Sequence, residues 1–201
     1  MNTNEFDYYL IYRENNQNYP LLGYKDIDEG DVFYERGSIS AIKKIEMCLR
    51  GSKPKKPELV DFHSVASVLA FGSRIYDILE PLKLHNVQFV PASVEVKKGK
   101  EEVEGYWLMH NYNRLECMDL EKSDCDIDED DGDVTWIRKI VLSEEKLSQV
   151  PLEQRLFFRM KEDYPTHLIH KSLVDKIMEI EPKGLVFVPV STWKQGMQFN
   201  D

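Results

Sequence analysis

The chain has 201 residues, 42% of them hydrophobic and 11% aromatic, which is enough to bury a core and excludes wholesale disorder. Charged residues make up 31%, with a formal net charge of −10, a balance that repels nucleic-acid backbone and anionic membranes and attracts basic partners. Three cysteines (Cys48, Cys117, Cys125), with no CxxC spacing, argue against a disulfide scaffold. The first residues carry no basic and apolar leader pattern, and no apolar run reaches membrane-spanning length, so a cytoplasmic location is expected.

Taken in chain order, Phe6 to Arg13 predicts a first strand, Glu14 to Asn18 a turn, and Val32 to Tyr34 a short second strand. Ile39, Ile42, Ile45 and Leu49 fall on a helical period, which predicts a helix over Ser38 to Leu49 stopped by Gly51. Gly51 to Pro57 is basic and proline-rich and reads as a linker. Lys98-Gly99-Lys100 predicts a hairpin turn, followed by strands over Gly105 to Asn111, Leu115 to Leu120, Val134 to Leu142 and Arg155 to Met160. Ser143, followed by Glu144 and Glu145, predicts the N-cap and acidic first turn of a short helix. Strands outnumber helices without alternating regularly with them, so the expected class is α+β, a mixed or antiparallel sheet with short helices.

One pattern occurs twice. Ser73-Arg74-Ile75-Tyr76-Asp77-Ile78-Leu79-Glu80 leads to Phe89-Val90-Pro91, and Ser172-Leu173-Val174-Asp175-Lys176-Ile177-Met178-Glu179 leads to Phe187-Val188-Pro189. The serines are 99 positions apart (73 to 172) and the triplets 98 (89 to 187), which implies the loss of one residue in the second connection. Each copy reads as an N-cap serine, an apolar stripe at helical spacing and a following β run. The expectation is two similar strand-helix-strand units, with Ile75, Ile78 and Leu79 buried in one and Val174, Ile177 and Met178 in the other. No nucleophile or metal pair recurs with the framework, which points to a surface built for binding.

No catalytic or metal-binding motif is complete in the sequence. Asp124-Cys125-Asp126-Ile127-Asp128-Glu129-Asp130-Asp131-Gly132-Asp133 places carboxylates at calcium-loop positions one, three and five when counted from Asp126. Position six is then Asp131, where the turn requires glycine, and position twelve is Ile137, where a bidentate Glu is required. The simple reading of the segment is a solvated hairpin tip. The sharper one is a concentration of charge whose self-repulsion a cationic partner relieves. His167 and His170 are three apart on an expected strand, hence on opposite faces, and do not share a metal. His63, His85 and His110 stand alone, and nucleophile elbows, Walker loops and dinucleotide glycine fingerprints are absent. No cofactor or metal is expected. Trp107, Trp136 and Trp193 sit in or beside apolar β runs, where core packing is the default; Trp193, close to the terminus, is the one a partner could reach.

Three blocks carry a resemblance: Val87-Gln88-Phe89-Val90-Pro91, Tyr106 to Ser123, and Gly184-Leu185-Val186-Phe187-Val188-Pro189. Together they resemble the bacterial polymorphic-toxin immunity proteins, in particular immunity family eleven, first catalogued as a domain of unknown function. The middle block is the most specific, with Asp119 and Ser123 at the family's Asp-x-x-x-Ser positions; Glu116 stands where the family often has Asp. The resemblance spans about Asp61 to Trp193, which implies a family domain over 61–193, a β-rich N-terminal segment (1–60) packed on or linked to it, and a tail (194–201). It implies a non-catalytic protein whose partner is a cognate toxin, with Asp119 and Ser123 in structural roles. The acidic residues Asp124, Asp126, Asp128, Glu129, Asp130, Asp131 and Asp133, together with Trp193, are the candidate toxin-binding residues. Two other readings stand beside this one: a small hydrolase or damage-reversing enzyme using the histidines and the acidic loop, and an acidic adaptor that mimics nucleic-acid charge.

Overall fold

A computed structural model describes residues 5–40, 43–51, 57–97, 99 and 101–197 of the chain. Thirteen strands and three short α-helices are present among them. In chain order the first seven strands are β1 (Tyr8–Arg13), β2 (Leu21–Tyr24), β3 (Ile45–Arg50), β4 (Phe62–Val65), β5 (Val68–Gly72), β6 (Val87–Lys97) and β7 (Glu101–Asn111). They are followed by β8 (Arg114–Leu115), β9 (Asp124–Ile127), β10 (Val134–Lys139), β11 (Phe157–Met160), β12 (His167–His170) and β13 (Leu185–Pro189). The helices are α1 (Ser73–Leu79), α2 (Glu144–Ser148) and α3 (Lys171–Met178). One sheet has the order β13-β1-β12-β11-β8, a second β2-β3-β6-β7-β5-β4, and β9 and β10 form a two-stranded sheet of their own. This is the mixed α+β arrangement that the strand count implied.

Strand alternation explains the layering. On β1, Tyr8 and Leu10 face one side of the first sheet, while Tyr9 and Ile11 face the other. The same two-way burial holds on β5, where Leu69 and Phe71 enter one core and Val68 and Ala70 another. A central core with Ile11, Phe71, Met109 and Ile169 lies between the two sheets, and both α1 and α3 contribute to it. A second core backs the larger sheet and takes in Phe33 from a 3-10 turn over Ile27–Tyr34. A third backs the smaller sheet, where Leu147 of α2, Met118 and Ile140 cover Leu10, Phe158 and Leu168.

The two strand-helix-strand segments share a topology. β5 and β6 flank β7 and run antiparallel to it, with α1 as their connection. β12 and β13 flank β1 in the same way, joined by α3. Across these rows Phe71–Trp107–Pro91 corresponds to Ile169–Tyr9–Pro189. The interval is 98 positions throughout, from 71 to 169 and from 91 to 189, so the one-residue loss inferred from the serines disappears. Neither serine is the N-cap: Gly72 caps α1 without a side-chain bond, and His170 caps α3 by accepting the Ser172 amide on Nδ1 at 3.2 Å. In that register Ile75 matches Leu173 and Leu79 matches Ile177, all four buried. Met178, expected inside, is 50% exposed, while Ile78 is only partly buried.

Other expectations change as well. The helix expected over Ser38 to Leu49 is replaced by β3, in which Ile45, Met47 and Leu49 are buried at the two-residue period of a strand. Residues 41–42 of that expectation lie outside the described residues, as do 52–56 of the linker, Lys98 and Lys100 of the hairpin turn, and 198–201 of the tail. Val32 to Tyr34 belongs to the 3-10 turn, and the strand expected over Leu115 to Leu120 shrinks to β8 plus a bridge between Met118 and Leu142. α2 starts as expected, with Ser143 Oγ accepting the Lys146 amide at 3.3 Å. Strands of the N-terminal segment lie inside both sheets: β1 separates β12 from β13, and β3 pairs with β6.

The corrected helix register is testable. Ile177→Ala should cost about 2–5 kcal/mol in urea denaturation, whereas Met178→Ala should stay within about 0.5 kcal/mol of the parent. Comparable losses at both positions would restore the serine-based register.

Candidate functional site

The acidic segment is a structured hairpin. β9 and β10 pair antiparallel with register shifts after Val134 and Ile137. At the tip the Asp128 amide donates to the Asp133 carbonyl (2.8 Å) and the Gly132 amide to the Asp128 carbonyl (3.0 Å). Two carboxylates are consumed by the turn itself: Asp128 Oδ1 accepts the Asp130 amide (2.8 Å) and Asp131 Oδ1 the Asp133 amide (2.9 Å). Gly132 has φ +77°, which explains a glycine there. Arg138 clamps the stem, donating from Nε to Asp124 (2.8 Å) and from Nη1 and Nη2 to Asp126 (3.0 and 2.7 Å). Its guanidinium holds the Asp126 carboxyl below the usual range. Asp128, Glu129, Asp130, Asp131 and Asp133 form no ion pair among the described residues and face solvent.

The hairpin is tied down at its base. Ser123 Oγ accepts the Val141 amide (3.0 Å) and donates to the Val141 carbonyl (3.3 Å). Asp119 Oδ1 accepts the Lys122 amide (3.2 Å), so both motif residues serve the backbone of the hairpin's approach. Cys125 and Ile137 pack against the third core. On the stem Trp136 is 52% exposed and Ile127 46% exposed, with the Trp136 indole N–H donating to Gln195 Oε1 at 3.1 Å. Beside the base, Lys139–Leu142, Val190–Thr192 and Phe6 line an open groove of about 510 Å³.

The tryptophans exchange the places the sequence suggested. Trp193 is 8% exposed and packed in the third core with Tyr8 and Val190, so it is removed from the candidate binding residues. Trp136, assigned to a core by default, lies on the outward face of a two-stranded ribbon whose other face, with Cys125 and Ile137, packs on the third core. Trp107 is half-buried and stacks on Tyr76 with centroids 4.0 Å apart. His167 and His170 have separate engagements: His167 Nε2 accepts from Arg159 Nε (3.0 Å), and His170 caps α3. Among the described residues no cluster of three or more His, Cys, Asp or Glu side chains is arranged to hold a metal.

A mixed α+β framework that holds a charged, self-contained hairpin outside its sheets defines a scaffold-and-loop class of protein. The chain matches the model of the Immunity protein family (Imm11) over residues 8–192, and it belongs to that family. The match includes β1, β2 and β3, beyond the stretch on which the resemblance rested. No curated protein matches the chain.

Buried histidines give this scaffold a pH dependence. His63 accepts the Val60 amide on Nε2 (3.2 Å), and burial, reinforced by Arg13, pulls its pKa from 6.5 down to about 4. Burial and Arg159 hold His167 well below its ordinary value too. Below pH 6.5 the unfolded chain takes up a proton at His63 that the folded chain refuses until about pH 4. Stability from this group is therefore complete above pH 6.5 and is lost as pH falls through that window, by about 3 kcal/mol. Urea midpoints measured between about pH 7 and about pH 5 should fall, and His63→Gln should flatten the slope. A midpoint independent of pH in the parent would contradict the assignment.

Proposed function

We propose that the chain binds and neutralises a cognate protein toxin by occlusion, without turnover, in the cytoplasm of the cell it protects. Family membership carries this reading. The net charge of −10 disfavours a nucleic-acid or membrane partner, and no helix among the described residues is long and apolar enough to cross a membrane. Protection should saturate at about one chain per toxin molecule, because an occluded site stays blocked only while the inhibitor is bound. Titration of toxin activity in vitro tests this directly. Complete protection far below equimolar inhibitor would instead identify an enzyme that reverses the damage.

The hairpin supports a more specific proposal: its acidic tip steers a basic toxin surface, and Trp136 and Ile127 form the apolar contact once it has docked. Exposed aromatic side chains are frequent anchors, and clustered charge acts mainly on encounter. The binding residues of this proposal are Asp124, Asp126, Asp128, Glu129, Asp130, Asp131, Asp133, Trp136 and Ile127. Neutralising Asp128, Glu129, Asp130 and Asp131 to Asn or Gln should slow association at low salt, with the difference shrinking as salt rises. Trp136→Ala should chiefly speed dissociation. Unchanged association at low ionic strength would move the binding face away from the hairpin.

A further inference from the structure

Two fully buried arginines are treated differently by this fold. Arg155 is satisfied: Nε donates to the Val150 carbonyl (2.9 Å), and Nη1 donates to the Glu5 carbonyl (2.6 Å) and the Tyr8 hydroxyl (2.7 Å). Arg159, on β11, donates from Nε to His167, while its buried Nη1 and Nη2 have no hydrogen-bond partner among the described residues. Its cross-strand neighbours are His167 on β12 and Arg114 on β8, which form one row of basic side chains at the sheet edge. His167 contributes no charge, since the nitrogen facing Arg159 is an acceptor. Among the described residues no carboxylate forms an ion pair with either Arg159 or Arg114.

The surroundings are aromatic and donor-rich. The Tyr164 ring lies 4.5 Å from the Arg159 guanidinium and 4.3 Å from that of Arg114, while its hydroxyl donates to the Phe33 carbonyl (3.0 Å). The Tyr24 hydroxyl is buried without a partner among the described residues and lies within the field of Arg159. Tyr34 stacks on Tyr164 at 5.9 Å and is 53% exposed, so these groups run from the surface to the buried cation. One aromatic ring shared by two guanidiniums offsets only part of the cost of burying them, and arginine does not escape by losing its proton. The row has forked donors and unbalanced positive charge, the chemistry that recognises oxyanions.

We propose that Arg159 and Arg114 form an internal site for a small oxyanion of the phosphate type, admitted when the Tyr34 ring swings aside. Nη1 and Nη2 of Arg159 donate to two of its oxygens, and the Tyr24 hydroxyl and Arg114 complete the shell. A free anion suits the site better than a partner's carboxylate, because Arg159 is fully buried and a tethered side chain would have to carry its backbone inside. Arg159 and Arg114 belong to one sheet, whereas Tyr24 is on β2 of the other. A bound anion thus ties the two sheets together.

The experiment is a series of thermal melts of the purified chain with inorganic phosphate, chloride holding the ionic strength constant. The parent's Tm should rise saturably, by roughly 5 °C or more at a hundredfold excess over Kd, and phosphorus NMR should show exchange broadening of the phosphate signal. Arg159→Met should abolish both responses, as should Arg114→Gln, whose half-buried side chain makes it the variant that decides if Arg159→Met does not fold. A parent Tm that phosphate leaves unmoved would overturn the proposal, as would equal phosphate responses in the parent and Arg114→Gln.

Discussion

The pairing of β1 between β12 and β13 is the constraint on which the architecture depends. Tyr9 faces Ile169 on one side and Pro189 on the other, so a strand from the start of the chain fills the gap between two strands from its end. Without β1 the segment joined by α3 would be two separated strands with unpaired edges, and Ile11 would be missing from the core shared by both sheets. β7 fills the same role between β5 and β6, but from the next strand along the chain, through a hairpin. One half of the molecule is thus closed locally and the other only when the termini meet, the kind of non-local pairing that slows folding.

Several strands, among them β1, β5 and β12, have residues buried on both faces of their sheet, and this has a consequence for polar side chains. A polar group at such a position finds no water, so it needs a partner inside. Most have one: Glu162 accepts the Cys117 and Met118 amides (2.8 Å each), and Asn113 donates to the Gln154 and Phe157 carbonyls (2.7 and 3.2 Å). These bonds fasten the irregular 113–118 stretch to β11 and its flanks, which is why a segment with little regular structure lies in the interior. Against that background Arg159 stands out, because both terminal nitrogens of a fully buried cation lack a partner among the described residues.

Much of the framework was legible because strand alternation and caps are local signals: β1, β7, β10, β11 and the Ser143 start of α2 were all indicated. The failures have local causes too. Ile39, Ile42, Ile45 and Leu49 fit a helix, while Ile45, Met47 and Leu49 fit a strand equally well; pairing with β2 and β6 decided for the strand. The repeated serines attracted the alignment because serine is a common N-cap, yet a histidine nitrogen performs that function in α3. Shifting by one residue makes Ile177, in place of Met178, the counterpart of Leu79 and brings Leu173 to the buried face in place of Met178, as expected where one helical position moves a side chain by 100°. At the candidate site the acidic run was evident as charge, but its Arg138 clamp was not, because residues 12 and 14 apart in sequence meet only through hairpin register. The exposure of Trp136 was hidden for the same reason: an apolar residue in a strand reads as core until it is known which face of the ribbon packs on the core.

The hairpin's construction bears on how a scaffold can keep one fold while presenting different surfaces. Its turn is closed by its own backbone and by Asp128 and Asp131, and its stem charge is balanced internally by Arg138. The attachment runs through Ser123, Val141, Cys125 and Ile137 at the base, none of them at the tip. Residues 129, 130 and 133 therefore carry charge that no part of the framework requires, and changes there cost the fold little. Loops held in this way change at small cost in stability. The outward-facing charge and the exposed Trp136 occupy the part of the molecule whose sequence the two sheets constrain least.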